Sequence, residues 1–425
     1  MFKLAKTSIF LTKLRANVAQ KTIRTFLSQA YYCQEVWDRR LNSSIFRQIN
    51  LEEFFYEMDQ RHNKTRELSA VDVDIFANAV TDDKYIDELL DIVHKLRLSA
   101  DSCNALNSTG HAVIRTLMKH TTLENLTNIL DDRLNYGVFL DYYTANLLLD
   151  TCWKKKDFTS GARIAGQLML QEEFDHPVSY NLGLLHCYKY LLKPEGWPVY
   201  PTPEEPEDEV KVRVRFVRNP YDDQHFDLRD PNKIVGKTLA MFTNNKDDPL
   251  SKSFNILGNT LFDKLDKVES SVEDCKNKNV KLHKEILDLV PNESEAKKIL
   301  TTADIEQSTN IEDVLEKNCK DAVNATSERD IADQCKLFVQ WEEDRHEALE
   351  VQKKRLDKIR RLKEIEAIRE SLKEKETRLW YFDNEENIKL ALEEHELSVP
   401  QEDSSAKVDA EDVYVPPEVH KKQKY

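Results

Sequence analysis

The stretch YYTANLLLD at residues 142–150 and its partial return, PVSYN at residues 177–181, indicate how this chain folds. Asn146 and Asn181 are 35 residues apart, and His111 stands one period earlier. A fixed period in the range of about 20 to 50 residues is typical of stacked helical hairpins, because a single hairpin cannot bury its own apolar face. The sequence therefore predicts a tandem array of helix pairs.

On both sides of this stretch, apolar residues recur with helical spacing in segments that only a few residues separate. The predicted helices span residues 68–80, 86–98, 110–119, 123–134, 143–155, 158–171 and 177–192. Short connections place consecutive helices antiparallel, and Thr122 and residues 81–83 supply side chains suited to N-caps. We expect an α-solenoid over residues 29–193, in which the aromatic side chains between Tyr31 and Glu67 are packing residues.

The composition favours a mainly all-α protein that is soluble. Only 8 of the 425 residues are glycine, the residue that supports tight turns, and 33% are charged. No apolar run approaches the roughly 18 residues of a membrane span, so no membrane partner is expected. The net charge of −15 argues against a protein coated in nucleic acid but leaves room for local basic patches.

The reactive side chains form no catalytic pattern. The seven cysteines contain no C-x-x-C pair, which fits reduced thiols. The histidines and cysteines show no nucleophile–base motif and no metal-ligand spacing, so we expect no enzyme, no metal and no cofactor. The run Gly236-Lys237-Thr238 is similar to the end of a P-loop, but Pro231 stands where that motif needs a glycine, which excludes nucleotide binding here.

The N-terminal 34 residues contain no acid, since the first is Glu35. They contain six bases, Lys3, Lys6, Lys13, Arg15, Lys21 and Arg24. All of them except Arg15 fall within an arc of roughly 80° on a helix, beside a leucine-rich face. This pattern predicts a mitochondrial transit peptide over residues 1–28. The alternative is a basic tail that stays on the mature protein.

The C-terminal half is predicted in four parts. A proline-rich connection with a short β segment covers residues 194–252, and a helical region covers 253–325. In the β segment, residues 210–218 alternate between apolar and basic side chains, and the basic face either meets phosphate or is solvated. A long charged helix follows over 326–397, with 23 charged residues among the 37 from Glu342 to Arg378. The tail, 398–425, is expected to be disordered.

The repeat resembles the pentatricopeptide repeat, a 35-residue hairpin that binds single-stranded RNA. The residues that carry the resemblance are 146–150, Lys154 and 177–181. It implies that Asn146 and Asn181 face a base, that Tyr143 and Val178 pack beside it, and that Asp141 and His176 hold the second base-reading position. His176 and His111 depart from the residues usual in that family. The alternative is a solenoid whose inner residues only pack or cap.

A further resemblance covers more of the chain. The segments that carry it are LSQAY at 27–31 with Trp37, YGVFLD at 136–141, NLL at 146–148, KK at 154–155 and QEEF at 171–174. These residues are similar to the pentatricopeptide-type proteins of the mitochondrial ribosomal small subunit. The resemblance implies a structural ribosomal component in the mitochondrial matrix, whose partners are the small-subunit ribosomal RNA and neighbouring ribosomal proteins. It implies no reaction.

Five lysines are the candidate RNA contacts, because they cluster where the first helices of the hairpins end: Lys119, Lys154, Lys155, Lys156 and Lys189. They would hold phosphates by charge, without reading sequence. The alternative is that they are solvated and favoured by the helix dipole. Two other functions stay open, namely a free matrix factor that binds messenger or transfer RNA, and a pure protein scaffold.

Overall fold

The computed structural model describes residues 25–198 and 228–398, apart from residues 245, 279, 291–295, 301–304 and 307–309. Most of the predicted presequence, the predicted strand at 210–218 and the tail from 399 lie outside the described residues. The described part of the chain starts with short helices: a 3-10 helix Gln29–Tyr32, α1 Gln34–Asp38, a 3-10 helix Arg39–Asn42, α2 Ser44–Arg47 and then α3 Leu51–Thr65.

Helix pairs follow, as the period predicts. They are α4 Ala70–Ala79 with α5 Ile86–Leu98, α6 Asn107–His120 with α7 Leu123–Asp131, and α8 Tyr142–Lys155 with α9 Phe158–Gln171. Two 3-10 helices, Asp83–Tyr85 and Ala100–Asn104, flank α5. The first helix of the fourth pair is α10 Pro177–Leu192. The mainly all-α repeat fold is thereby confirmed.

Caps explain where the central helices begin and end. Asp141 precedes α8 in a capping box, in which its carboxylate accepts from the backbone N–H of Thr144 at 2.8 Å. Asp157 caps α9 through the backbone N–H of Ser160 at 3.0 Å. Lys156 and Glu172 follow α8 and α9 with φ of 58°, a left-handed conformation that stops a helix. The predicted cap Thr122 is confirmed, since its hydroxyl accepts from the backbone of Asn125.

The pairs stack in two rows. The first helices α4, α6, α8 and α10 contact one another in order, and the second helices α7 and α9 form the other row. The helix α11 Pro231–Thr243 continues that second row by packing on α9 and α10. One continuous apolar core runs through the stack. The stack therefore includes α11, which follows residue 193 in the sequence.

The remaining elements are mostly helical. They are α12 Pro249–Leu261, α13 Leu265–Asn277, β1 Leu282–His283, α14 Lys284–Leu287, α15 Ala296–Leu300, β2 Ile305–Glu306, α16 Ile311–Asp383 and α17 Glu385–Ser398. The two strands pair in parallel, Leu282 opposite Ile305. The long helix starts 15 residues before residue 326, where the sequence predicted its start, and is divided from α17 at Asn384.

The run Gly236-Lys237-Thr238 lies inside α11, where glycine serves packing. Gly236 faces Gly258 of α12, and a Cβ at Gly258 would lie 2.6 Å from the carbonyl oxygen of Gly236 and 2.6 Å from the backbone nitrogen of Ala240. The two helix backbones approach this closely only because neither glycine has a side chain.

By its internal contacts, the chain divides into two compact units, residues 1–349 and 350–425. The first unit contains all the helix pairs and residues 311–349 of α16. The second contains the rest of α16 and α17.

Candidate nucleic-acid interface

The positions that the period relates lie on consecutive inner helices. His111 is on α6, Asn146 on α8 and Asn181 on α10. The helices α8 and α10 touch, because the side-chain oxygen of Asn146 accepts a hydrogen bond from Ser179 Oγ at 2.7 Å. Equivalent residues of successive hairpins therefore line one wall, the arrangement that repeat-by-repeat contact with a strand requires.

The N-terminal segment covers this wall at α8. The ring of Tyr31 stacks on that of Tyr143, with centroids 5.3 Å apart and planes 13° apart. Its hydroxyl accepts from Asn146 Nδ2 at 3.1 Å and donates to Asp330 Oδ2 at 3.1 Å. Burial raises the pKa of Tyr31, so the hydroxyl keeps the proton that it donates. The groove beside Asn146 is thus filled by the protein's own chain.

The first part of α16 covers the rest of the wall. Asp330 Oδ2 lies 3.2 Å from His176 Nε2 at the start of α10. Trp341 packs on His111 of α6, with ring centroids 5.0 Å apart. Arg345 Nε donates to Asp74 Oδ2 of α4 at 2.6 Å, and both side chains are buried. One stripe of α16 therefore follows the inner helices from α10 to α4.

His111 is enclosed as a neutral side chain. Burial lowers its pKa, and Arg115 Nε donates to its Nε2 at 2.9 Å. Trp37, Phe338 and Trp341 surround the ring. In this protein the position equivalent to Asn146 is a packing site.

The structure places the predicted base-reading residues within the fold. Tyr143, Asn146 and Val178 are fully buried, so no RNA base on the surface reaches them. Asp141 caps α8. Asn181 is half-buried, and its Nδ2 donates to Pro177 O at 2.8 Å. Because the chain itself occupies the groove, these residues make packing and capping contacts within the fold.

Lys154 is bound within the fold. Its Nζ lies 2.7 Å from Asp150 Oδ2 and 2.7 Å from the hydroxyl of Tyr32. The buried Asp150 also accepts from the backbone N–H groups of Phe26 and Leu27, at 3.0 and 3.2 Å. Lys154 thereby neutralises the carboxylate that anchors the N-terminal segment.

Lys189 is bound in a similar way. Its Nζ lies 2.5 Å from Glu312 Oε1 in the first turn of α16, and 15% of its side chain is exposed. The three other lysines, Lys119, Lys155 and Lys156, are exposed and have no ion pair with any residue that the structure describes. The structure thus separates the predicted lysines into two that hold the fold and three that present free charge.

Sequence reasoning missed the residues that fill the groove. The signal lay in α16, where buried residues recur every three or four positions apart from one step of seven: Ile311, Leu315, Cys319, Val323, Thr326, Asp330, Gln334, Trp341 and Arg345. This stripe mixes charged, polar and apolar side chains, so a search for apolar periodicity does not find it. Tyr31 was expected only to pack.

The described residues offer neither a metal site nor a membrane-spanning helix. No group of three or more His, Cys, Asp or Glu side chains is placed there to hold a metal ion. Among those residues, no helix combines the length and apolarity that crossing a membrane needs.

The fold and the wall together define a helical-repeat protein whose inner groove is filled by its own chain. The family model described as mitochondrial 28S ribosomal protein S27 matches residues 2–371, most of the sequence. The chain belongs to this family. It is a mitochondrial protein and a component of the small ribosomal subunit. The family match favours this ribosomal role over that of a free RNA-binding factor. Membership implies ribosomal RNA and ribosomal proteins as partners.

Proposed function

We propose that the protein is a non-catalytic structural component of the small ribosomal subunit in the mitochondrial matrix. It contacts ribosomal RNA through Lys119, Lys155 and Lys156, and its other surfaces bind neighbouring ribosomal proteins. The observation that carries this proposal is the contrast among the five lysines. Lys154 and Lys189 are neutralised by acids of the same chain, whereas these three present uncompensated charge at helix ends.

Their contact is with phosphate, and it carries no sequence information. Each lysine supplies a compact point charge on a flexible stem, which suits phosphate oxygens better than base edges. Because the groove is filled, RNA sequence is not read by the inner residues. The subunit's own assembly then positions the RNA, and the solenoid supports it.

The test uses Lys119→Gln/Lys155→Gln/Lys156→Gln in cells that lack the wild-type protein. We expect ultraviolet crosslinking to ribosomal RNA to fall, while a control, Lys64→Gln/Lys84→Gln/Lys267→Gln, removes the same charge from other exposed positions and leaves crosslinking unchanged. Both proteins should sediment with the small subunit in low-salt gradients. Equal crosslinking by the two variants would refute the lysine assignment, and wild-type protein that leaves the subunit in high salt would refute the structural role.

A further inference from the structure

One segment of α16 in the second unit reverses the charge of the chain. Residues 353–363 contain seven bases and one acid, a net charge of +6 in a protein of net charge −15. The bases are Lys353, Lys354, Arg355, Lys358, Arg360, Arg361 and Lys363, and the acid is Asp357. The next stretch of the helix, residues 366–378, has four bases and four acids and is neutral.

The bases of this segment are exposed and mostly unpaired. Arg360 lies 3.1 Å from Asp357 and 3.9 Å from Glu364, which accounts for the one acid inside the segment. The six other bases form no ion pair within the described part of the chain, and all seven are exposed. The segment therefore holds a concentrated positive charge that the fold does not use.

The helix arranges these charges on one face. At 100° per residue, Lys353, Lys354, Lys358, Arg360 and Arg361 fall within an arc of about 160°. The same arc holds Asp357 and Glu364, the two acids beside Arg360, so its bases outnumber its acids by five to two. The opposite arc carries Leu356, Ile359 and Leu362. The segment is about 15 Å long at 1.5 Å per residue. We call the five bases on the arc the basic face.

We propose that the basic face of α16 binds the phosphate backbone of a folded RNA. A nucleic-acid duplex carries one phosphate for about every 1.7 Å of its axis, so 15 Å of duplex presents enough phosphates for five bases. Charge spread over a wide arc can meet phosphates of both strands across the wide, shallow minor groove of an RNA duplex. The inference rests on membership of the ribosomal subunit for the identity of that RNA, and it adds a site outside the solenoid.

An anionic membrane fits the segment less well. A helix that lies in a bilayer surface needs an uninterrupted apolar face. Here Arg355 and Lys363 stand on the same side as Ile359, so burial of that side would also bury two charges. RNA needs only the basic face and leaves the opposite side free.

The experiment measures binding of the full-length protein to a fluorescein-labelled RNA hairpin by fluorescence anisotropy at several KCl concentrations. The variant Lys353→Gln/Lys354→Gln/Lys358→Gln/Arg361→Gln removes four charges and keeps good helix formers. Its control, Arg369→Gln/Lys373→Gln/Lys375→Gln/Arg378→Gln, removes four charges from the neutral stretch of the same helix. Circular dichroism checks that both remain helical.

We expect the basic-face variant to bind the hairpin about tenfold or more weakly, and the slope of log K against log salt to shrink by about 3, since each phosphate contact contributes about 0.7 to 0.9. The control should bind like the wild type. Equal losses in the two variants would show that only net charge matters, and no loss in the first would also overturn the proposal.

Vesicles containing phosphatidylserine test binding to a membrane. Tighter binding to these vesicles than to the hairpin would overturn the assignment to RNA. Either variant can still sediment with the small subunit, so failure here leaves the ribosomal role intact.

Discussion

The ring of Tyr31 stacks on the ring of Tyr143 beside Asn146, and no solvent reaches either ring. The resemblance to the pentatricopeptide repeat implies that an RNA base would lie beside Tyr143 and Asn146. Here an aromatic side chain of the same protein fills that place, stacked on one inner residue and hydrogen-bonded to the next. The hairpins stack around a groove that the chain itself occupies.

Removal of the Tyr31 hydroxyl should destabilise the first unit. Tyr31→Phe keeps the stacked ring but deprives Asn146 Nδ2 and Asp330 of a partner in a buried site. Leaving buried polar groups unpaired costs about 1–3 kcal/mol, measurable by urea denaturation. The control Tyr56→Phe removes a hydroxyl on an exposed ring and should change little. If both variants unfold at the same urea concentration, the Tyr31 hydroxyl does not hold the groove closed.

Loss of Arg345 should release the first part of α16 from the solenoid. Arg345→Met leaves Asp74 charged and buried, with only Ser108, Thr109 and Asn78 as partners. Removing one partner of a buried ion pair lowers the stability of the fold by about 3–5 kcal/mol. Hydrogen exchange should accelerate in residues 330–349.

The matched control for Arg345 is Lys336→Met. Lys336 pairs with Asp333 on the surface, where 78% of its side chain is exposed. Exposed pairs of this kind contribute little to stability, so exchange along α16 should stay as in the wild type. Equal protection in both variants would contradict a docking role for Arg345.

Acid should weaken the fold through His186. Burial lowers the pKa of His186 to about 4. Its Nδ1 has no hydrogen-bond partner among the described residues, and its Nε2 lies 3.0 Å from the carbonyl oxygen of Leu149. In the unfolded chain His186 takes up a proton near pH 6.5, whereas in the folded protein it stays neutral down to about pH 4. The folded state is therefore most stable above pH 6.5 and loses stability as the pH falls towards 4. The stability lost over this pH range is on the order of 3 kcal/mol.

The measurement compares unfolding free energies at pH 7 and pH 5 in the wild type and in His186→Gln, which does not titrate. The variant should be less stable at pH 7 and should lose less stability on acidification. His395→Gln, at an exposed histidine of α17, should show the wild-type dependence. An identical pH dependence in all three proteins would exclude His186 as the group responsible.

The N-terminal boundary of the folded unit should lie before Phe26. The predicted transit peptide ran to residue 28, but Leu27 is buried and Asp150 accepts from the backbone of both Phe26 and Leu27. A chain that starts at residue 29 should be less stable than one that starts at 25 by roughly 3–5 kcal/mol, from the lost burial of Leu27 and the two backbone hydrogen bonds that Asp150 would lose. Thermal unfolding compares them, and equal midpoints would show that residues 25–28 are dispensable.

Two glycine substitutions should have opposite signs. Gly258→Ala places a methyl group 2.6 Å from two backbone atoms of α11, an overpacked contact that costs about 1–3 kcal/mol or more. Gly110→Ala, in α6, meets only the carbonyl oxygen of Phe139 at 3.7 Å, and it should stabilise by about 0.5–1 kcal/mol. Urea denaturation tests both, and a stable Gly258→Ala protein would mean that the backbones of α11 and α12 can separate at no cost.

The helix pairs could be predicted because their signals are local. The 35-residue period, the short connections and Thr122 all act within a few turns of the residues that they specify, and α10 begins and ends where its pattern does. The transition from α10 to α11 could not be predicted, since residues 199–227 intervene.

The filled groove could not be predicted because its partners are remote in sequence. Asn146 meets Tyr31 from one side and, through that hydroxyl, Asp330 from the other. Nothing in the pattern around Asn146 distinguishes an amide that faces a base from one that faces a tyrosine. Likewise, the five lysines are candidate RNA contacts because they cluster where helices end. Only the positions of Asp150 and Glu312 show which two of them are neutralised.

The hydrogen bond from Tyr31 to Asp330 closes a loop of 299 positions, and that from Arg345 to Asp74 closes one of 271. Contacts of such high order slow folding, because the entropy of closing the loop is lost before the contact is gained. Until the segment near residue 345 docks, the hairpins can stack while Asp74 and His111 lack their partners Arg345 and Trp341. During that interval the inner wall, with its aromatic rings, is open to chaperones and to aggregation.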